Sequence, residues 1–98
     1  MVGILLASVL TLAHAATGGA QAARALIRNR CGICHRGPFL DFSHYPFYSD
    51  RFSTERELLT EGLRRARLTG DKRMPPVNYP ALNADDLATL QAYLDSLE

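Results

Sequence analysis

The sequence predicts a small all-α domain of three to four helices. Three observations predict it. Apolar residues recur at helical spacing in three separate segments, around 20–30, 54–66 and 83–97. The longest segment between them, Phe39 to Phe52, has neither clean alternation nor a helical period. The first helical segment runs directly into Cys31-Gly32-Ile33-Cys34-His35, which holds both cysteines of the chain.

The chain opens on Met1 to Ala15, an apolar stretch without a charged side chain. Ala13-His14-Ala15 fits the small-x-small pattern of a secretory cleavage site, so the cut is expected after Ala15, with His14 lost. The stretch departs from the usual signal in having no Lys or Arg at its start. An uncleaved membrane anchor is the alternative, but the stretch falls short of the roughly 20 apolar residues that span a bilayer. Cleavage leaves Ala16 to Glu98, 83 residues and one domain. A chain of that size buries little core, and a fixed cofactor is one of the usual staples. An exported chain whose only cysteines share one short motif suits deliberate use of those thiols in the periplasm.

The formal charge of +1 is unevenly spread. All eleven Lys and Arg lie between Arg24 and Arg73, whereas Met74 to Glu98 carries four acids and no base. The near-neutral balance and the lack of a basic recognition helix exclude a nucleic-acid role. A basic face can steer an acidic redox partner; a solvated surface of mixed charge is the simpler reading.

Taken in order, Thr17-Gly18-Gly19 is a flexible lead-in. Ala20 to Arg30 is rich in strong helix formers, with Ala23, Leu26 and Ile27 on one stripe. Arg28 and Arg30 fall in its last turn, where cations suit the helix dipole. The motif that follows reads C-x-x-C-H, the signal for covalent attachment of a c-type haem. Two thiols must reach two vinyl groups on one porphyrin edge, and the next residue must place an imidazole over the iron. His35 is then the proximal iron ligand. A bare C-x-x-C also fits a thioredoxin-like pair, half a zinc site or a short disulfide. No βαβ pattern accompanies it and no second cysteine pair exists. Arg36-Gly37-Pro38 ends the helix, and the carbonyl of Pro38 is a candidate acceptor for the free N–H of His35.

Phe39 to Phe52 holds six of the eight aromatic residues, broken into turns by Asp41, Ser43, Pro46, Ser49 and Asp50. These rings must be buried somewhere. The edge of the haem is the expected place, and a docking face for a partner the alternative. Thr54-Glu55-Arg56-Glu57 is a capping box. It opens a helix with Leu58, Leu59, Gly62, Leu63 and Ala66 on one face and an i, i+4 pair between Glu61 and Arg65. Mid-helix Gly62 is explained by close approach of a backbone or of the haem, or is a tolerated cost. Leu68 to Asn78 is a loop, stiffened by Pro75-Pro76. Met74 within it is the only methionine after Met1. It lacks periodic apolar neighbours, as a core-filling methionine would have, and a thioether on a rigid loop suits a sixth iron ligand. Asn83 caps the last helix, with Asp85 and Asp86 in its first turn and Leu87, Leu90, Leu94 and Leu97 on its stripe beside Tyr93.

With these residues in place the chain resembles a small bacterial class I monohaem cytochrome c, over essentially all of the 83 residues after Ala15. The resemblance rests on C-x-x-C-H after a helix, the later Met74-Pro75, and the final helix with Tyr93-Leu94. It implies the cytochrome c fold and one covalent haem c with its iron. It also implies thioethers at Cys31 and Cys34, axial ligands His35 and Met74, and one-electron transfer. The segment 39–52 matches no family motif, and it carries His44.

The expected function is a periplasmic one-electron carrier, not an enzyme on its own, with redox proteins as partners and no membrane span after cleavage. It serves either free or as the electron-transfer subunit of an oxidoreductase complex. A haem-based gas sensor or peroxidase-like protein is the alternative, if the sixth position is open or held by His44. Lys72 is a remote candidate for that position.

Overall fold

Three amphipathic helices meet on their apolar stripes, and a short hairpin closes the space beside them. The structure is a computed structural model and describes residues 19–97. The expected signal segment, Met1 to Ala15, lies outside the described residues. Helix α1 covers residues 19–30, so Gly19, expected in a flexible lead-in, is helical. Helix α2 spans Glu55–Ala66 and α3 spans Ala84–Ser96. The described residues are mostly helical, compatible with the expected all-α class, with one short two-stranded sheet added. Strands β1, Leu40–Asp41, and β2, Tyr48–Ser49, pair antiparallel, Leu40 opposite Ser49 and Asp41 opposite Tyr48. Two-residue strands carry no readable period, which is why the sequence showed only turns there.

The expected stripes form the core. Ala23 and Ile27 of α1, Leu58, Leu59 and Leu63 of α2, and Leu90, Tyr93 and Leu94 of α3 are buried in one cluster, joined by Phe42 and Leu82. Leu26, Leu87, Leu97 and Ala66 are partly buried against it. Among the described residues no helix is long and apolar enough to cross a membrane.

Capping chemistry sets the helix ends. The Thr54 hydroxyl accepts from the Glu57 N–H at 3.2 Å. The Glu57 carboxylate does not complete the reciprocal box; it accepts from the hydroxyls of Ser53 at 3.2 Å and Thr54 at 2.9 Å. The full box occurs on α3. There the Asn83 side chain accepts from the Asp86 N–H at 2.7 Å, and the Asp86 carboxylate accepts from the Asn83 N–H at 3.2 Å. Glu61 grips Arg64 in a two-pronged bond, 2.5 and 3.1 Å, and reaches the expected partner Arg65 only at 3.5 Å. The Arg64 bonds hold the Glu61 carboxyl below its ordinary range. These charges are largely exposed and contribute little to stability.

The turn residues of 39–52 act as their chemistry suggests. Asp41 accepts from the Ser43 N–H at 2.7 Å and from its hydroxyl, an Asx turn. Ser49 accepts from the N–H groups of Arg51 and Phe52. Gly70 opens a 3₁₀ turn, Gly70–Lys72, at φ +72°, a conformation that costs glycine nothing.

A four-residue network joins all three helices to this segment. The Arg24 guanidinium donates to the hydroxyls of Tyr93 at 3.0 Å and Tyr45 at 3.3 Å, and lies 4.1 Å from the Tyr45 ring centre. Both hydroxyls donate to the Glu55 carboxylate. Burial, then the Glu55 bond, pushes the Tyr93 hydroxyl well above the tyrosine range. The fold therefore holds the protonated form. This contribution is complete below the ordinary tyrosine range, about pH 10, and is lost as pH rises through the raised value. Tyr93→Phe is expected to cost about 1–2 kcal/mol in urea unfolding. A double-mutant cycle with Glu55→Gln should show coupling, and strict additivity would remove the network's claim to act as a unit.

Candidate functional site

The C-x-x-C-H segment continues α1 by one turn. The N–H groups of Cys31 and Gly32 both donate to the Ile27 carbonyl, at 2.8 and 3.1 Å. Those of Cys34 and His35 donate to the Cys31 carbonyl, at 3.3 and 2.9 Å. The turn is pinned to the aromatic segment by the Phe42 N–H, which donates to the His35 carbonyl at 2.6 Å. Gly32 sits where no side chain fits. A Cβ there would lie 2.5 Å from the Arg28 carbonyl oxygen, 2.8 Å from that of Phe42 and 2.8 Å from the Ser43 Cα.

Cys31, Cys34, His35 and Met74 line one cavity of about 590 Å³. That volume is in the range of small-molecule and cofactor sites. All three helices and both strands contribute to its wall. The end of α1 supplies Arg30 and Cys31, and the turn adds Ile33, Cys34 and His35. The segment 39–52 supplies Phe39, Phe42 and Phe52, α2 supplies Leu58, Gly62 and Ala66, and α3 supplies Leu90. Met74, Pro75 and Pro76 close it from the loop after α2. Gly62 now has a physical reading. A Cβ on it meets nothing within 4 Å, so no backbone presses on it; it faces open cavity space.

His35 is half-buried, its ring edge-on to Phe42 with centres 6.0 Å apart. Phe42 packs on Phe47 in turn at 5.7 Å, and Phe47 on Tyr45 at 5.2 Å. The aromatic segment therefore divides. Three of its rings line the cavity, while Phe47 and Tyr45 lead away from it to Arg24. Tyr45 and Tyr48 are exposed.

The thiols are unbonded, Cys31 half-buried and Cys34 exposed. Burial pushes the Cys31 thiol up to about 11. Cys31 also follows the C-terminal end of α1, where the helix dipole opposes an anion. A redox-exchange thiol needs the reverse arrangement. Among the described residues no group of three or more His, Cys, Asp and Glu is placed to hold a bare metal ion. The donor set suits a group that brings its own equatorial ligands and takes one imidazole and one thioether. Most of the remaining wall is apolar, and its charged residues are Arg30, Arg51 and Arg65 together with Asp50 and Glu61. Such a wall suits a large, mostly apolar group.

The other candidates lie elsewhere. Pro38 is exposed and off the cavity wall, and no described hydrogen bond joins it to His35. His44 is exposed, 2.9 Å from the Ser43 hydroxyl, and also off the wall. Lys72 is exposed in the 3₁₀ turn.

Two arginines that sequence reasoning did not connect with the methionine loop hold it. Arg73 donates to the carbonyls of Pro75, Pro76 and Tyr79, and Arg30 to that of Pro80. Adjacency of Arg73 to Met74 is visible in the sequence; the carbonyls it binds are not. No family model, curated protein or solved structure matches the chain.

Proposed function

We propose that the chain is a one-electron carrier with a single covalently attached haem c, built on the small monohaem cytochrome c plan and working in the periplasm. One observation supports the reading above the others. Cys31, Cys34, His35 and Met74, which the sequence reading had set apart, line the same cavity, although 39 positions separate His35 from Met74. Cys31 and Cys34 would hold the group through thioethers, with His35 and Met74 as axial ligands. The haem iron supplies the Fe(II)/Fe(III) couple, and Met/His ligation raises its potential. The chain's own residues bind and orient. Phe42 packs edge-on to the His35 ring, the α2 and α3 leucines exclude water, and the proline loop presents the thioether. With His35 and Met74 both serving as iron ligands, the iron would have no position left for a substrate, which favours a carrier over an enzyme. His44, exposed and off the wall, weighs against bis-histidine ligation. Redox proteins are the partners, and the carrier serves free or as an oxidoreductase subunit.

The test is a visible spectrum of protein made in a host with c-type haem maturation, beside Met74→Ala. The ferric wild type should show the weak long-wavelength methionine-to-iron band, and Met74→Ala should lose it. Identical spectra would leave the sixth position to water, His44 or an added ligand, and sensor or peroxidase chemistry would take precedence. Absence of covalent haem would end the proposal.

A further inference from the structure

We propose that Arg73 and Arg30 are positioning residues that lock the Met74 loop as a strap across the cavity. The inference rests on the reading of Met74 as an iron ligand. Between Met74 and Pro80 three of the seven residues are proline and have no N–H to donate. Only two described backbone bonds involve an N–H of this stretch, Met74 to the Arg65 carbonyl at 3.2 Å and Tyr79 to that of Pro76 at 2.8 Å. Guanidinium groups supply the remaining order. Arg73 Nε donates to the Pro75 carbonyl at 2.9 Å, and its Nη2 to those of Pro76 and Tyr79 at 3.0 and 2.6 Å. Arg30 Nη2 donates to the Pro80 carbonyl at 2.6 Å, while its Nη1 pairs with Asp86 at 3.4 Å.

The arrangement fixes the strap at three points. Its start hangs on the end of α2, its middle curls around Arg73, and its end is tied by Arg30 to α1, one residue before Cys31. The helix end that carries the thiols therefore also anchors the methionine strap. A planar fork of five N–H donors can serve several carbonyls at once, and an ammonium cannot reproduce that geometry. A neutral thioether is a weak ligand, and it competes with incoming donors only if its approach is organised in advance. Arg73 and Arg30 supply that organisation without touching the metal.

The experiment titrates imidazole into ferric holoprotein and follows the methionine-to-iron band. Arg73→Ala should bind imidazole at least about tenfold more tightly than wild type, the scale of losing charge-assisted hydrogen bonds. Arg73→Lys should restore less than half of that difference on a logarithmic scale, and Arg30→Ala should shift affinity in the same direction by less. Amide exchange at Met74 and Tyr79 should quicken in Arg73→Ala while the α3 core amides hold. Tyr93→Phe, which weakens the fold away from the strap, should leave imidazole affinity unchanged. Wild-type affinity in Arg73→Ala overturns the proposal, and so does equal tightening in Tyr93→Phe, which would make Arg73 merely structural. Failure of the underlying reading looks different: wild-type holoprotein would lack the methionine band, or Met74→Ala would match it.

Discussion

Cys31→Ala/Cys34→Ala protein, made beside a c-type maturation system, is expected to carry no covalent haem and to be largely unfolded. Acidified organic solvent should extract whatever haem remains, and the far-UV helix signal should fall to a fraction of the wild-type value. The argument is one of apolar burial. A chain of this size buries little core of its own, and without the group the apolar wall of the cavity is left against water. The described core is ten residues, and seven apolar residues named above (Leu58, Leu90, Phe42, Phe39, Phe52, Ile33 and Ala66) line the cavity that the proposed haem would fill. The single variants separate the two thiols. Each should keep haem through one thioether, with the reduced absorption maximum displaced toward longer wavelength. A double variant that stayed fully helical without haem would show that the cavity is not the fold's principal deficit.

Gly32→Ala is the second large effect. It should lower the stability of the holoprotein by about 3 kcal/mol, read as a drop in the urea midpoint at constant slope, and should reduce the yield of attached haem. The added Cβ meets backbone on two sides, the Arg28 carbonyl below and the Phe42 and Ser43 backbone above. Neither can rotate away as a side chain would. Relief requires the aromatic segment to lift from the turn, which stretches the Phe42–His35 backbone bond and shifts the imidazole with it. Gly37→Ala is the control. Its Cβ meets nothing within 4 Å, so its effect should lie within about 0.5 kcal/mol. Equal effects at the two positions would remove the packing argument.

These cases mark what could be read from the chain alone. The helices were legible because their stripes repeat locally and their caps, Thr54 and Asn83, use short-range chemistry. The motif was legible because the chemistry expected of it, two thioethers and one imidazole, would fix the offsets among Cys31, Cys34 and His35. Met74 stood out by being alone. The rest depends on contacts between distant positions. Arg24 and Tyr93 are 69 residues apart, and Tyr93 and Glu55 are 38 apart. Gly32 occupies an unspecified place in C-x-x-C-H, and only the return of residues 42 and 43 forbids a side chain there. The hairpin strands are too short to show alternation, so turn residues were the only signal available.

The strap's anchoring bears on how such a chain can drift over generations. Arg73 and Arg30 bind main-chain carbonyls, and every residue type offers the same carbonyl. Val77 is 61 % exposed, Asn78 is exposed, and neither is read by the clamp. Substitutions at 77 and 78 are expected to leave the clamp in place, while replacement of Arg73 removes three of its hydrogen bonds. On the proposed reading of Met74, residues 77 and 78 can change widely without moving the thioether.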